Sequence, residues 1–257
     1  MDSIAQPVIE TRGLDVGYHG KAILRNINFT VQAGKILVIL GGSGCGKSTL
    51  LRSLIGLAEP ISGQVMLYGQ DYFHSTHQQQ EQMLAQIGVS FQSGALFGSM
   101  SVLENVMLPL EELTSLPPEA CEMIAAIKLQ MVGLSGFEHH SPSQLSGGMQ
   151  KRAALARAMA LDPRILFLDE PSAGLDPITA AQLDDLILQL ARTQHLTFVI
   201  VTHELQSIYA LADNAIMLDK SAGGIVAMGK PEELKHRTDI PVVWQFFNRS
   251  VQTPGQT

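Results

Sequence analysis

Nine residues constrain this chain more than any others: Gly41-Gly42-Ser43-Gly44-Cys45-Gly46-Lys47-Ser48-Thr49. They follow a continuous apolar run, Ile36 to Leu40, and precede a helical pattern from Leu50 to Ile55. A strand, a glycine loop and then a helix make the context of a phosphate-binding P-loop. Glycines let the backbone curl until successive N–H groups point inward, and the helix N-terminus adds partial positive charge. Lys47 supplies a full charge for β- and γ-phosphates, and the Ser48 hydroxyl can ligate Mg²⁺. A glycine turn that binds nothing would need neither the lysine, the serine nor the flanking elements.

The remaining chain must build a fold around that loop. With 257 residues it can bury a core in one large domain, or in one domain carrying a subdomain. A hydrophobic fraction of 46% beside 16% charged residues excludes a disordered chain. The net charge of −7 argues against a nucleic-acid surface. Two cysteines, Cys45 and Cys121, give no disulfide framework and suit a reducing compartment. The start, Met1 to Pro7, lacks the basic and apolar regions of a signal peptide, and no apolar run approaches the ~18 residues that span a bilayer. The expectation is a soluble chain; at a membrane, another subunit would supply the spanning helices.

Residues 8–31 read as β structure, with the period-two alternation of a half-buried strand in Ile27 to Val31. Tyr18 lies in an expected turn between Gly17 and His19-Gly20. Taken by itself it reads as a sheet-edge aromatic; stacking on a purine is the functional alternative. Gln64 to Tyr68 reads as a further strand, and the Gln-rich stretch 69–82 as a solvated helix or loop. Its His74 and His77 lack the companions a metal site needs. Ile87 to Phe91 reads as a short strand ending at Gln92. From Ser93 to about Gln144 alternation gives way to helical segments, punctuated by Pro117-Pro118 and Gly133–Gly136. This is a helical insertion between halves of an α/β core, and His139-His140 in its closing loop takes no role.

Leu145-Ser146-Gly147-Gly148-Met149-Gln150 then opens an Ala-rich helix expected over 151–160, with Ser146 as N-cap. Gly147 and Gly148 leave out side chains that would hold a bulky anion away, as in a second anion-binding helix terminus; a simple capping turn is the plain alternative. Arg164 to Leu168 is an apolar run of the kind buried on both faces of a parallel sheet, and it ends in Asp169-Glu170. Carboxylates at the end of such a strand lie where α/β sheets place ligands. Asp169 suits Mg²⁺, and Glu170 suits proton acceptance from an attacking water. Asp176 sits in a loop before an amphipathic helix over 178–191. His203 follows the buried strand Leu196 to Val201, where it can reach a γ-phosphate. A hairpin, a last helix from Pro231, and an aromatic tail (Trp244, Phe246, Phe247) suited to packing complete the chain, with no internal repeat.

In this order, the set resembles the ATP-binding subunit of ABC transporters over nearly the whole chain. The resemblance implies an α/β fold: a P-loop NTPase (RecA-like) core over 8–92 and 151–235, with an N-terminal antiparallel β subdomain. An inserted α-helical subdomain would occupy 93–150 and a tail 236–257. It implies that Tyr18 stacks on adenine, against the plain reading above. Gln92 would join Mg²⁺ and the attacking water to the permease interface. Ser146 and Gly148 would touch the γ-phosphate of the opposite subunit's ATP, Asp176 would communicate across the dimer, and His203 would hold the γ-phosphate. Two cassettes would close head-to-tail around two ATPs, and hydrolysis would reopen them.

A finer resemblance lies in Phe91-Gln92-Ser93-Gly94-Ala95-Leu96-Phe97, Ser101 to Val106, Leu108-Pro109-Leu110, Lys151 to Ala158 and Asp176 to Thr179. These are similar to the Mla-type phospholipid transport ATPases. That likeness implies a membrane permease, a periplasmic MCE-domain lipid carrier and often a small STAS-domain subunit, with this chain peripheral on the cytoplasmic face of a bacterial inner membrane. Rivals change the cargo (a small-solute importer or a cell-division complex), the setting (a DNA-associated ATPase, which would show a long coiled coil or basic stripes) or the turnover (a regulator, which needs neither Glu170 nor His203). Cys45, among loop N–H groups and beside Lys47, is expected to favour its thiolate and to block nucleotide binding when alkylated.

Overall fold

The computed structural model describes residues 7–250; the expectations about Met1–Gln6 and the last tail residues lie outside them. In chain order the elements are β1 (Ile9–Tyr18), β2 (Lys21–Val31), β3 (Ile36–Gly41), α1 (Lys47–Leu54), β4 (Ser62–Leu67), β5 (Gln70–Asp71) and α2 (His77–Leu84). There follow β6 (Ile87–Ser90), α3 (Val102–Leu113), α4 (Pro118–Met131), α5 (Gly147–Ala158), β7 (Ile165–Asp169) and α6 (Pro177–Gln194). The chain continues through β8 (Thr197–Val201), α7 (Leu205–Leu211), β9 (Asn214–Asp219), β10 (Gly224–Gly229), α8 (Pro231–Leu234) and α9 (Pro241–Asn248). They fall into two compact units, residues 7–83 with 197–250, and residues 84–196.

The first unit holds an antiparallel sheet in the order β2-β1-β4-β5. β1 buries Ile9, Thr11, Leu14 and Val16 while intervening residues stay wetter, which is the alternation a one-sided sheet requires. His19 and Gly20, both at positive φ, turn β1 back into β2 and leave Tyr18 paired with Lys21 at the strand end. Tyr18 is thus the last strand residue, one position earlier than the expected turn. In the same unit β3 runs parallel to β8 on one side and β9 on the other. Every residue of β3 and β8 is buried, which accounts for their unbroken apolar sequences. The tail aromatics lie on α9, where Phe247 is buried and meets the Tyr209 ring of α7 at 6.0 Å.

The second unit pairs β6 with β7 in parallel, from Ile87 opposite Ile165 to Ser90 opposite Leu168. α3, α4 and α5 pack on one another. A reciprocal box starts α3: Glu104 N donates to Ser101 Oγ, and Ser101 N donates to a Glu104 carboxylate oxygen. Sequence suggested a helical segment over 102–106, but α3 continues through Pro109 to Leu113. Its packing on α4 and α5 outweighs the hydrogen bond that the proline removes. α5 begins at Gly147 with Ser146 as its N-cap, so the two glycines form its first turn, and it ends at Ala158, two residues before the expected Ala160. No described helix is long and apolar enough to cross a membrane.

Candidate functional site

The site residues divide between the two units. In the first, the loop between β3 and α1 curls with Gly41, Gly44 and Gly46 at positive φ. Gly41 has a second reason to be glycine: a Cβ there would lie 2.4 Å from the Leu218 carbonyl oxygen and 2.7 Å from Cys45 Sγ. The Lys47 ammonium donates to the carbonyl oxygens of Gly41 (2.9 Å) and Gly42 (3.1 Å), so the lysine closes the loop on itself. No side chain caps α1, and its first turn holds no acidic residue. The helix N–H donors therefore have no built-in anion, and the cradle fits a phosphate chain. Gly42, Ser43 and Ser48 are exposed and Gly46 is half-buried.

Thr49 is buried in α1, and its hydroxyl donates to the Tyr18 hydroxyl oxygen at 3.2 Å. Arg52 donates to the same oxygen at 3.3 Å. The Tyr18 ring is thereby tethered beside the P-loop helix while remaining 42% exposed. Arg52 carries no motif, so sequence reading passed over it. Cys45 behaves otherwise than expected: it is only 2% exposed, its sulfur filling the space beside Gly41. Alkylation from solvent would first require the loop to open. His203 follows β8 with an exposed side chain, its Nε2 lying 3.8 Å from the Glu204 carboxylate.

In the second unit, Gln92 is exposed just beyond β6. Asp169 is the final residue of β7, and Glu170 is buried directly after it. Glu170 has φ +48°, a left-handed conformation that costs a non-glycine residue energy and is concentrated at functional sites. Nothing in the sequence signalled it. Lys151 of α5, to which the sequence assigned no role at the site, donates to the Gln92 carbonyl oxygen. Burial pushes the Lys151 pKa down, and the negative charges of Glu170 and Asp169 oppose that shift.

Ser146 caps α5 by accepting from Met149 N at 3.3 Å. Gly147 is exposed, and a Cβ there would make only ordinary contact with Leu175. Gly148 is buried, and a Cβ there would fall 2.4 Å from Thr179 Cγ2 of α6. Close packing against α6 is thus a second reason for glycine at position 148, beside the expected path for an anion. Asp176 caps α6, accepting from the N–H groups of Ile178 and Thr179 at 3.1 Å each and from the Thr179 hydroxyl. The Thr179 hydroxyl, ahead of those N–H groups, holds the Asp176 carboxyl below its usual range. His74 and His77 stay apart from all of this, facing Asp71 and Glu81, and no cluster of His, Cys, Asp or Glu among the described residues could hold a metal.

A curled glycine loop, an ammonium inside it and an uncapped helix behind it define a P-loop nucleotide-binding protein. A family model described as ABC transporter matches residues 24–173. A Haemophilus influenzae relative, the intermembrane phospholipid transport system ATP-binding protein MlaF, is 38% identical over 97% of this chain and 93% of its own. The probable ribonucleotide transport ATP-binding protein mkl of Mycobacterium leprae is 40% identical over 93% of this chain and 68% of its own length. Among solved structures, cbiO1 from Clostridium perfringens, part of the ABC transporter complex cbiONQ, superimposes with a TM-score of 0.82 at 27% identity, covering 91% of this chain and 92% of that one. The ATP-binding cassette MJ0796, a dimer in a post-hydrolysis state bound to ADP and Pi, gives 0.77 at 30% identity, covering 86% and 98%. The chain belongs to the ABC transporter family, as an ATP-binding and ATP-hydrolysing subunit.

Proposed function

We propose that this chain powers phospholipid transport between two membranes through a separate permease. The reading is carried by the 38% identity to the MlaF relative over nearly the full length of both chains. The residues 91–110, which resemble the Mla-type ATPases, support it from within the chain. Two copies would pair, as the MJ0796 cassette does. The partners would be an integral-membrane permease, a periplasmic MCE-domain carrier and a STAS-domain subunit, with this chain peripheral on the cytoplasmic face of the inner membrane.

Within the pair, the N–H groups of 41–49 and the Lys47 ammonium would bind the triphosphate, with Tyr18 stacking on adenine. Ser48, Gln92 and Asp169 offer the hydroxyl, amide and carboxylate oxygens that Mg²⁺ prefers. The ion, when bound, neutralises charge building on the phosphate oxygens. Glu170 would take the proton of the attacking water, and His203 would donate to the γ-phosphate. The partner copy would bring Ser146, Gly147 and Gly148 to the same nucleotide, and its Asp176 would relay closure between the two sites. Held in place by burial and by its left-handed backbone, Glu170 needs little rearrangement to act as a base.

Two experiments test this. Glu170→Gln should lower phosphate release by about 10²- to 10⁴-fold while leaving ATP binding intact, and unchanged turnover would remove Glu170 from the chemistry. Purification of the native membrane complex under mild detergent, followed by mass spectrometry, should recover an MCE-domain protein and bound phospholipid. Recovery of a periplasmic solute-binding protein in place of the MCE-domain protein would overturn the phospholipid assignment.

A further inference from the structure

The loop that carries Gln92 is held by its backbone. Lys151 Nζ donates to the Gln92 carbonyl oxygen, and Arg157 donates to the carbonyl oxygens of Gly94 and Ala95 at 2.8 Å each. Gly94 and Ala95 both sit in the left-handed region (φ 70° and 48°). A non-glycine residue does not stay there unless its surroundings hold it, and here the two guanidinium bonds do so. Both cations extend from α5, the helix whose first turn is Gly147 and Gly148. Beyond Ala95, Asn105 of α3 fixes the next stretch: its side chain accepts from Phe97 N and donates to the carbonyl oxygens of Phe97 and Ser101.

Lys151 differs from Arg157 in having a second set of neighbours. Its half-buried ammonium feels the charges of Asp169 and Glu170 at the end of β7. It also lines a cavity of about 10 Å³ with Leu155, Leu168 and Pro171, room for one water at most. One ammonium therefore ties the Gln92 loop to the helix of Ser146 to Gly148, and the parallel pairing of β6 with β7 sets that loop beside the chain that leads into Asp169 and Glu170. A cation bound to a carbonyl makes a stronger tether than a neutral pair.

We propose that Lys151 is a positioning residue for ATP hydrolysis, fixing Gln92 relative to Glu170 by anchoring the loop at its first carbonyl. This rests on the assignment of Gln92 to the reacting centre. Arg157 anchors the same loop two and three residues further on, so α5 and the Gln92 loop move as one piece.

The test uses the full-length chain with Mg-ATP and compares Lys151→Met, Lys151→Arg, Arg157→Gln and Gln92→Ala. Lys151→Met keeps the stem and removes the ammonium. It should lower kcat by about 10- to 100-fold with KM changed less than about twofold, since misplacement of a reacting group acts on the chemical step. Amide hydrogen exchange over residues 92–97 should rise by about tenfold without a matching rise in β3 or β8. Lys151→Arg should restore most of both, and Arg157→Gln should raise exchange at 94–97 even if Lys151→Met proves too unstable to purify. Normal kcat in Lys151→Met alongside impaired Gln92→Ala would overturn the inference, as would lost activity with unchanged loop exchange. Normal turnover in Gln92→Ala would instead refute the role of Gln92 and with it the catalytic purpose of the anchor, leaving loop exchange to decide the anchoring alone.

Discussion

Replacing Gly148 with alanine separates two explanations of a motif glycine. The added Cβ would lie 2.4 Å from Thr179 Cγ2, about 1 Å inside ordinary contact. Thr179 cannot simply turn aside, because its hydroxyl is committed to the Asp176 carboxylate that caps α6. Overpacking of this kind costs about 1–3 kcal/mol. The gain from alanine over glycine in a helix offsets at most about 1 kcal/mol. With about 2 kcal/mol taken from the middle of that range, the net loss is at least about 1 kcal/mol, which in a chain of this size should lower the melting temperature by at least about 2–4 °C. Adding Thr179→Ser removes the offending methyl and keeps a hydroxyl for Asp176, so the double variant should melt within about 2 °C of Thr179→Ser alone. Thermal unfolding followed by circular dichroism, without nucleotide, measures all four proteins. Because the Cβ points at α6, the double variant should also regain ATP hydrolysis. If Gly148→Ala melts as high as the parent, or Thr179→Ser fails to rescue it, packing is not why position 148 is glycine.

Other outcomes follow from the same geometry. Lys47→Ala should abolish detectable binding of a fluorescent ATP analogue while leaving the fold intact; retained binding would remove the ammonium from the phosphate site. Asn105→Ala should cost about 1–3 kcal/mol in urea unfolding, since Phe97 N would lose the buried amide oxygen it donates to, while the Phe97 and Ser101 carbonyls keep the N–H groups of Met100 and Asn105. A loss below about 1 kcal/mol would mean that the loop is held elsewhere. Asp176 has a depressed folded pKa, so its cap is fully effective above its unfolded value near 4 and is lost as pH falls through the lower folded value. The melting difference between the parent and Asp176→Ala should therefore be constant from pH 6 to 8 and shrink below about pH 4. A gap that persists in stronger acid would show that the carboxylate charge is not what caps α6.

Much of the site was legible because its signals are local. The apolar run Ile36 to Leu40, the glycine spacing and Lys47 announce strand, loop and helix within twenty residues, and the structure places β3, the curled loop and α1 there. Asp169 and Glu170 were marked by the buried strand before them. Helix ends were less legible. The start of α5 follows from Ser146 as its cap, but its end falls at Ala158 instead of Ala160, and α3 runs through Pro109 on the strength of its neighbours. The burial of Cys45 has no local signal, since it depends on Gly41 and on the chain around Leu218.

The sequence by itself determined that this chain folds around a phosphate loop, and it gave the order of the motif residues, because period, propensity and glycine spacing act between near neighbours. The tertiary structure alone decided what holds those motifs. Lys151 reaches a carbonyl 59 residues away, Arg157 reaches two more across 62 and 63 residues, and Gly148 is small because of Thr179 on another helix. Such contacts join residues with no spacing rule between them. They exist only once packing has brought a side chain of one element within hydrogen-bond reach of the backbone of another.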